Sequence, residues 1–500
     1  MKTNRHRTRC DAFHVSKGEE ANDEQKNNRS TYVLSMLFGS GVTYVGMQSL
    51  SSDTSTITID MPTTAEKPSN EELKKIEQAY SMIKQKYVHD VNDQQLIDGA
   101  IQGMIATLKD PYSVYMDKET AERFNESLDS SFEGIGAEVS MVDGKVTIVA
   151  PFKGSPAEKA GLRPNDQIIK VNGESLEGLD LYEAVLKIRG KKGTVARLEV
   201  VRPGVSGVLT IDVVRDEIPI ETVYASMKEG NGKQIGYIEI TSFAEKTAED
   251  FKQKLSEFEK KGMAGLIIDV RGNPGGYLQS VEEILQVLVP KDKPYVQIEE
   301  RDGDKQQFFS NMTKKKQYPI VVLVDNGSAS ASEILAAALK EAGGYMLVGE
   351  KTFGKGTVQQ ALPMDDGSHI KLTLYKWLTP NGNWIHQKGI EPDVKVKQPD
   401  FFYAHPLQID KPLAYDMNNE QVKSAQQMLK GLGFDPGRED GYFSKQTEQA
   451  VQSFQKANGL QVTGKIDKQT ANALQTKVME AVRDERYDEQ LKKALQLIVK

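Results

Sequence analysis

Cysteine is almost absent from this 500-residue sequence, and the single one, Cys10, lies close to the amino terminus. One thiol cannot form an internal disulfide or a thiolate metal site, and it leaves no cysteine nucleophile for the main body of the chain. The sequence also lacks an H-E-x-x-H motif and any cluster of His, Asp and Glu that would suggest a catalytic metal. We therefore expect neither a metal nor a cofactor.

An excess of one sign of charge is missing as well. The 64 basic and 71 acidic residues give a net charge of −7, which provides no reason to expect a nucleic-acid partner. Apolar residues make up 38% of the chain and charged residues 27%, as in soluble globular proteins. The length exceeds that of one ordinary core and predicts three or four domains.

Long runs without a charged residue are rare, and residues 31–50 form one that is long enough to consider as a membrane span. Twenty such residues can cross a bilayer as a helix, and the basic segment 1–30 before them should remain in the cytoplasm. We predict a single-pass signal anchor in the cell membrane with the main body of the chain outside the cytoplasm. A cleaved signal peptide and a fully soluble chain are the alternatives. Residues 51–70 are polar, contain two prolines and read as a linker.

Three further regions are distinguished by their periodicity. Residues 71–131 form an N-terminal region whose apolar spacing predicts a helical hairpin up to Leu108. Residues 132–216 are rich in strand patterns and begin with the glycine-rich Gly134-Ile-Gly136. Residues 217–400 alternate strand and helix patterns, which indicates a layered β/α core. The fold class is thus multidomain α/β.

The core contains the stretch that carries the chemistry. A β-branched run, 320–324, is followed by a tight turn and by a helix that starts near Ser330. Strand, turn and helix start together expose one hydroxyl and point backbone N–H groups at the same place. Lys355 follows between two glycines, and Gln359 comes four residues later. We interpret Ser330 as a nucleophile, Lys355 as its base and Gln359 as the group that orients the lysine.

A lysine acts as a base near neutral pH only when burial disfavours its ammonium form. Phe353 and Val358 are expected to supply the apolar surroundings of Lys355. Asp269-Val-Arg-Gly-Asn-Pro-Gly-Gly276 lies at a strand end before a helix, and its paired glycines, Gly275 and Gly276, can offer a backbone donor. With the N–H of Ala331 they would form an oxyanion hole; a simple strand-to-helix turn explains the same glycines.

The two segments Gly327-Ser-Ala-Ser-Ala-Ser-Glu333 and Phe353-Gly-Lys-Gly-Thr-Val-Gln359 resemble the signature of the carboxyl-terminal processing proteases. These are PDZ-containing Ser–Lys endopeptidases of peptidase family S41, and the likeness covers residues 66 to 400. It implies a ClpP/crotonase-like protease core and an extracytoplasmic endopeptidase that recognises exposed, apolar C-termini. It places the nucleophile at Ser330. A second copy of the chain is an expected partner, since the N-terminal helices of the family often pack against another subunit.

The resemblance makes residues 132–216 a PDZ domain. Its glycine-rich start would hold a peptide carboxylate, and the following strand would accept the peptide as an added strand. Gly136, Ala137 and Val139 are the predicted groove residues, although strand glycines also simply bend strands. Arg189, in a basic loop after the PDZ helix, is a candidate contact between the PDZ domain and the protease.

The carboxyl-terminal part contains a near-repeat, 441–451 against 464–474, with Ser444 and Asp467 as predicted helix N-caps. Residues 418–478 thus predict a three-helix unit that resembles peptidoglycan-binding domains, although structural capping alone explains the pattern. Residues 401–417 read as a linker and 479–500 as a charged helical tail.

Five alternatives compete with the interpretation of Ser330 and Lys355 as a catalytic pair. The nucleophile can be Ser328 or Ser332 instead of Ser330. Ser330 can also be no more than a helix cap, since Ser330-x-x-Glu333 fits a capping box. A Ser–His–Asp triad would need one of four histidines in the body, of which His386 is the best candidate. Residues 349–356 nearly match a phosphate-binding loop, but Gly356 stands where Mg²⁺ requires Ser or Thr. Finally, the chain can be an inactive PDZ and wall-binding scaffold.

Overall fold

The computed structural model describes residues 69–126, 128–142 and 144–499, without the side chain of residue 182. The predicted cytoplasmic segment 1–30, the anchor 31–50 and all but the end of the linker 51–70 lie outside these residues. None of the helices that the structure describes combines the length and apolar character needed to span a bilayer.

The amino-terminal region is a helical hairpin, as predicted. Helix α1 (Asn70–Lys86) is capped by Ser69, and α2 (Asp93–Ala106) is capped by Asn92. A short strand, β1 (Val114–Met116), and helix α3 (Lys118–Glu126) then lead into the next domain. Among the described residues, neither α1 nor α2 has a buried side chain, so this hairpin presents its apolar spacing to solvent.

The next domain is an antiparallel sheet with two short helices. Its sheet has the order β3-β4-β5-β7-β8, with β6 paired to β5, and β2 and β9 form a separate ribbon that closes the domain. Strand β3 therefore lies at an edge of the sheet. The elements are β2 (Ser131–Gly134), β3 (Ala137–Val142), β4 (Lys145–Pro151), α4 (Pro156–Lys159), β5 (Gln167–Val171), β6 (Glu174–Ser175), α5 (Leu181–Ile188), β7 (Val195–Val201), β8 (Leu209–Val214) and β9 (Asp216–Pro219).

The layered core contains two sheets. The central one has the order β10-β11-β12-β15-β16-β19 and is parallel from β11 onward, and the other joins β1, β18, β13 and β14, with β17 on β18. The elements are β10 (Val223–Gly230), β11 (Lys233–Ile240), α6 (Thr247–Lys260), β12 (Gly265–Asp269), α7 (Leu278–Leu285), β13 (Pro294–Glu299), β14 (Lys305–Phe309), β15 (Ile320–Val324), α8 (Ala331–Glu341), β16 (Met346–Gly349), β17 (Thr357–Pro363), β18 (His369–Leu378) and β19 (Val394–Lys395).

The parallel register of the central sheet sets the position of the site. Strands β12 and β15 are neighbours, and Asp269 pairs with Leu323, so both strands end at the same edge. Side chains alternate between the two faces of such strands. One face packs against α6, α7 and α8 through residues such as Ile268 and Val322, which fixes the helices that start at this edge.

The carboxyl-terminal module has the three predicted helices, α9 (Glu420–Gly431), α10 (Lys445–Ala457) and α11 (Lys468–Val482). Ser444 and Asp467 cap α10 and α11, as predicted. The segment 401–417, predicted to be a linker, instead contributes Phe401, Leu407 and Leu413 to the core of this module. Their apolar side chains are spaced irregularly, so periodicity did not reveal them.

The predicted charged tail, 479–500, is also different in the structure. Its first residues complete α11, a 3₁₀ turn follows (Glu485–Tyr487), and helix α12 (Glu489–Ile498) ends the described chain. Helix α12 buries Leu491, Ala494 and Ile498 on the second face of the central sheet. The segment is therefore part of the protease core and covers a face that the sheet would otherwise expose.

Candidate active site

The turn after β15 holds Ser330 in an unusual backbone conformation. Its φ of 56° and ψ of −113° fall outside the regions that residues with a side chain normally occupy. Helix α8 begins at the next residue, Ala331, whose N–H finds no acceptor in the described part of the chain. Such strain at a strand-to-helix elbow points to function rather than to packing.

The other two serines of the motif hold the neighbouring turn. The Ser328 hydroxyl donates to the carbonyl of Val270 at 2.7 Å, and the Ser332 hydroxyl donates to the carbonyl of Asn273 at 2.8 Å. Both acceptors belong to the turn after β12. A hydroxyl that is committed to a buried carbonyl is poorly placed to attack a substrate, so Ser330 is the candidate that the geometry favours.

Glu333 joins the serine turn to the lysine segment. Its carboxylate is buried and accepts four hydrogen bonds, from the N–H groups of Ser330 (2.9 Å), Gly354 (2.7 Å) and Lys355 (2.8 Å) and from the Thr352 hydroxyl (2.6 Å). Burial raises the pKa of Glu333, and these four donors oppose that rise. The bond from the Ser330 N–H to Glu333 belongs to the predicted capping box. The same carboxylate also accepts from Gly354 and Lys355, so it does more than cap the helix.

Lys355 is almost completely buried, with 1% of its surface exposed. Burial, followed by repulsion from Lys371, lowers the pKa of Lys355 well below its usual range, against the attraction of Asp110 and Glu333. A lysine in this state can be neutral near physiological pH, as a general base must be. A lowered pKa of Lys355 is the direction that the Ser–Lys hypothesis requires.

The surroundings of Lys355 differ in part from the expected ones. Val358 is buried, but Phe353 is 56% exposed and does not enclose the lysine. Tyr112 takes that place, with its ring centre 4.6 Å from the lysine Nζ. Tyr112 arrives from the segment before β1, because β1 pairs with β18.

Asp110 and Lys371 are the charged groups that sequence reasoning missed. Lys371 lies on β18, is buried, and has its Nζ 4.7 Å from the centre of the Phe124 ring. Burial lowers its pKa, and Asp110 opposes this. The segment 109–113 gave only the signal of a helix end, and no pattern linked Lys371 to Lys355.

Gln359 lies on β17 with its side chain buried. Its Nε2 donates to Thr357 Oγ1 at 3.0 Å and to Thr373 Oγ1 at 2.9 Å. Its Oε1 is buried and has no hydrogen-bond partner among the described residues. These contacts fix which end of the amide is the acceptor, so the oxygen is left to receive a hydrogen bond from an amine.

The two glycines of the predicted oxyanion turn have different roles. The Gly275 N–H donates to Asn273 Oδ1 at 2.8 Å, whereas the Gly276 N–H has no acceptor among the described residues. A side chain at Gly275 would place its Cβ 2.9 Å from the Cβ of Ser330 and 3.1 Å from the nitrogen of Ala331. Gly275 thus provides the close approach, and Gly276 and Ala331 provide the available donors.

The predicted groove residues lie together at the start of β3. Gly136 has a φ of 73°, and a Cβ there would lie 2.6 Å from the Cβ of Ser155, so glycine is required. The carbonyls of Ile135 and Gly136 accept from Ala157 and Phe152 inside the domain. Ala137 and Val139 belong to β3, the edge strand. This is the geometry that strand addition requires.

Arg189 lies away from the serine and contacts α3. Its guanidinium pairs with Glu126 and lies 4.8 Å from the centre of the Phe132 ring. Glu126 ends the same helix that carries Phe124, which contacts Lys371. The structure thus gives Arg189 a physical connection toward the lysine pair rather than a direct contact with Ser330.

Two alternatives fail on local structure. The segment after Gly356 is strand β17, whereas a phosphate-binding loop requires a helix there. His386 lies beside the site, but its Nδ1 faces the Gly356 N–H at 3.4 Å, and its ring packs on Trp384 and Tyr112. No group of side chains within the described residues could hold a metal ion.

Family models match four parts of the chain. The model of peptidase family S41 matches residues 234–396, and that of the PDZ domain matches residues 127–201. The N-terminal domain of the activating protease CtpB matches residues 36–120, and a peptidoglycan binding domain matches residues 418–474. The matches to residues 127–201, 234–396 and 418–474 fall on the antiparallel domain, the layered core and the three-helix module of the fold.

Whole-chain comparisons agree with these models. The chain is 60% identical over 463 residues to the carboxy-terminal processing protease CtpB of Bacillus subtilis (strain 168), covering 92% of this chain and 96% of that relative. It is 46% identical over 426 residues to CtpA of the same organism, covering 85% and 90%. The solved photosystem II D1 C-terminal processing protease is 27% identical, with 66% of this chain and 94% of that chain covered and a TM-score of 0.41. The chain belongs to the carboxy-terminal processing proteases of peptidase family S41 and is a PDZ-containing serine protease.

Proposed function

We propose that Ser330 is the nucleophile of this protease and Lys355 its general base. The observation that carries this proposal is that one buried carboxylate, Glu333, holds the backbone of both residues while the lysine side chain is shielded from water. The serine hydroxyl attacks the substrate carbonyl and passes its proton to the lysine amine. The lysine then returns the proton to the leaving amine, and water hydrolyses the acyl-enzyme.

Gln359, Gly276 and Ala331 assist this reaction. The free Oε1 of Gln359 accepts a hydrogen bond from the lysine amine and directs its lone pair toward the serine. The N–H groups of Gly276 and Ala331 stabilise the negative charge that develops on the substrate oxygen. Gly275 keeps the space in front of Ala331 open because it has no side chain.

The test is cleavage of an unfolded protein with an apolar C-terminus by purified residues 51–500. Ser330→Ala and Lys355→Ala should each abolish cleavage while keeping the melting temperature. Lys351→Ala, at an exposed lysine paired with Glu391, is the matched control and should cleave normally. Full activity in Ser330→Ala would show that the assignment is wrong. An intact enzyme without activity would favour the scaffold alternative or a gate that needs its own partner.

The PDZ domain is proposed to capture exposed, apolar C-termini of protein substrates. The open edge of β3 and the turn at Gly136 support this, because an added strand needs a free edge and a carboxylate needs free N–H groups. Arg189 is proposed to report peptide binding to the protease through Glu126 and α3. The carboxyl-terminal module is proposed to bind peptidoglycan, which a sedimentation assay with purified cell walls would test.

We further propose that the body is extracytoplasmic and tethered through residues 31–50, whose length and lack of charge suit a membrane anchor. A second copy of the chain is proposed to cover the exposed apolar side chains of α1 and α2, which include Leu73, Ile76, Met82 and Met104. Fractionation of cells tests the first proposal. Sedimentation of wild type against Ile76→Glu tests the second, because a charge in this patch should shift a dimer toward monomer.

A further inference from the structure

Arg271, inside the oxyanion turn motif, is held by two carboxylates from distant parts of the chain. Its guanidinium donates to Asp269 at 2.6 and 2.9 Å, and to both oxygens of Asp488 at 2.9 and 2.8 Å. The side chains of Arg271 and Asp488 are only 16% and 13% exposed. Asp488 precedes α12, so this contact joins the end of the described chain to the catalytic loop.

Asp488 is itself firmly placed. It caps α12 by accepting the Leu491 N–H at 2.9 Å, and Gln398 Nε2 donates to it at 2.7 Å. Helix α12 is fixed on the sheet, since a Cβ at Gly265 would lie 2.8 Å from Ile498. Gln490 adds an oxygen 3.1 Å from the guanidinium. The carboxylate therefore reaches Arg271 from a helix start that is hydrogen-bonded and packed on the central sheet.

Arg271 in turn is continuous with the turn that carries the oxyanion donors. The next residue, Gly272, donates to Asp325 at 2.8 Å, and the same oxygen of Asp325 accepts from Ser328 at 3.1 Å. The Ala329 N–H donates to the carbonyl of Asn273 at 3.0 Å. The oxyanion turn is thus clamped on one side by the serine turn and on the other by the guanidinium.

Arg271 and Asp488 stabilise each other's charged forms. Burial opposes the charge on Arg271, but Asp269 and Asp488 outweigh it and raise the pKa of the guanidinium further. Burial also opposes the charge on Asp488, but Arg271 outweighs it and holds the pKa of Asp488 below its usual range. A buried pair of this kind is directional and resists rotation of the arginine side chain.

We propose that Asp488 is a positioning residue for catalysis, which acts through Arg271 on the oxyanion turn of Gly275 and Gly276. The proposal rests on the assignment of Ser330 and of this turn made above. Donors to a developing oxyanion are effective only when they are fixed before the reaction. Since Asp269 still pairs with Arg271 when Asp488 is lost, the fold survives, but the turn loses the part of its support that comes from α12.

The test compares Asp488→Asn, Asp488→Glu and Ser330→Ala with wild type in the full chain. Asp488→Asn should lower kcat by roughly tenfold or more. This is less than the loss of about 10²–10³ that follows removal of an oxyanion donor itself, because the donors remain but are less well fixed. KM should change little, and affinity for a peptide boronate, a transition-state analogue, should fall with kcat/KM. Asp488→Glu should restore part of the loss. Asp484→Asn, at the exposed pair with Arg486 in the same connection, is the matched control.

The outcomes separate this proposal from the assignment of the nucleophile. Unchanged kcat in Asp488→Asn, or a rise in KM alone, overturns the positioning role while the loss of activity in Ser330→Ala leaves the nucleophile in place. Activity in Ser330→Ala overturns the assignment itself. If Asp488→Asn does not fold, Gln398→Ala keeps Asp488 and removes one donor to it, together with the Gln398 Oε1 that accepts the Glu489 N–H at 3.0 Å. A fall in kcat of the folded Gln398→Ala then supports the role, and an unchanged kcat overturns it.

Discussion

The backbone N–H groups of Ser330 and Lys355 donate to the same oxygen, Oε2 of Glu333, at 2.9 and 2.8 Å. Two segments that are distant in sequence are thereby fixed to one atom. These hydrogen bonds join the carboxylate to backbone N–H groups and not to the serine hydroxyl or the lysine amine. The carboxylate sets the separation of the two backbones, and with it the range over which the serine and lysine side chains can meet.

Glu333→Gln should therefore reduce kcat by about a hundredfold, as for other losses of preorganised geometry in an active site. The glutamine amide would place an NH₂ group against backbone N–H groups that now donate to the carboxylate, so some of these donors would lose their acceptor. Buried donors without an acceptor also cost about 1–3 kcal/mol each, so the melting temperature should fall. Steady-state kinetics and thermal unfolding check both effects.

The control for this prediction lies at the other end of α8. Glu341→Gln keeps an oxygen for the Asn381 N–H and should leave activity unchanged. Equal activity in Glu333→Gln and wild type would contradict a role for Glu333 beyond capping the helix.

The groups around Lys355 predict opposite pH shifts for two variants. Lys371 repels the ammonium of Lys355, whereas Asp110 and Glu333 attract it, and Tyr112 packs over it. Lys371→Met should raise the pKa of Lys355 and move the acid limb of kcat/KM to higher pH. Asp110→Asn should lower that pKa and move the limb to lower pH. The pH dependence of kcat/KM for the free enzyme reports both shifts.

Lys376→Met, at an exposed lysine of the same strand β18, is the control for Lys371→Met. Its profile should match that of wild type. Shifts of the same sign in Lys371→Met and Asp110→Asn would be incompatible with an electrostatic origin.

Labelling should distinguish the three serines. A fluorophosphonate reacts with an activated serine, so Ser330→Ala should remain unlabelled. Ser328→Ala should still be labelled at Ser330, but it should lose about 1–3 kcal/mol of stability because the carbonyl of Val270 loses a buried donor. Mass spectrometry of the labelled peptide gives the answer, and a label on Ser328 or Ser332 in wild type would reassign the nucleophile.

Glu282 predicts a stability that depends on pH. Burial raises its pKa from the ordinary 4.5 to about 7, against a hydrogen bond from Tyr295. The folded state therefore holds the Glu282 proton more tightly than the unfolded state does. The stability that this proton contributes is lost as the pH rises from about 4.5 to about 7. Relative to wild type, Glu282→Gln should gain about 2–3 kcal/mol of stability between pH 5 and pH 8.

Melting temperatures at the two pH values measure this difference. Glu283→Gln, at the neighbouring carboxylate that pairs with Lys252, is the comparison and should show only a smaller gain at pH 8, because the charge of Glu283 adds to the raised pKa of Glu282. An equal gain for Glu282→Gln at both pH values would point to packing rather than to charge.

Substitution of Arg189 should weaken the effect of peptide binding at the PDZ domain on the protease without lowering the rate of peptide hydrolysis itself. Arg189→Ala removes the pair with Glu126 and should leave hydrolysis of a short peptide unchanged. The response of that hydrolysis to an added apolar C-terminal peptide should become several-fold smaller. Lys191→Ala, in the same loop, serves as the control. An unaltered response in Arg189→Ala would remove this residue from the coupling.

The sequence was sufficient where function follows from a local pattern. The run 320–324, the small residues after it and the glycines around Lys355 occupy neighbouring positions, so strand, turn and helix start could be predicted together. The edge position of β3 likewise follows from the order of the PDZ strands once the domain is recognised. These features need no knowledge of distant contacts.

Features that depend on distant pairing could not be predicted in the same way. Tyr112 reaches Lys355 through β1, a strand of three residues that is too short for a periodic signal. Phe353 lies only two residues before Lys355 in sequence but is 56% exposed. The apolar side chains of α12 are hidden among charged residues, so composition suggested a tail where the sheet has a cover.

The position of α12 also has a consequence for the order of biosynthesis. Translation delivers β12 and β15 long before α12, so Ile267 and Leu323 lack their cover while the chain grows. During that interval Arg271 has Asp269 but not Asp488. We therefore expect a nascent chain that already carries Ser330 and Lys355 to reach full activity only when its last described helix has left the ribosome and docked.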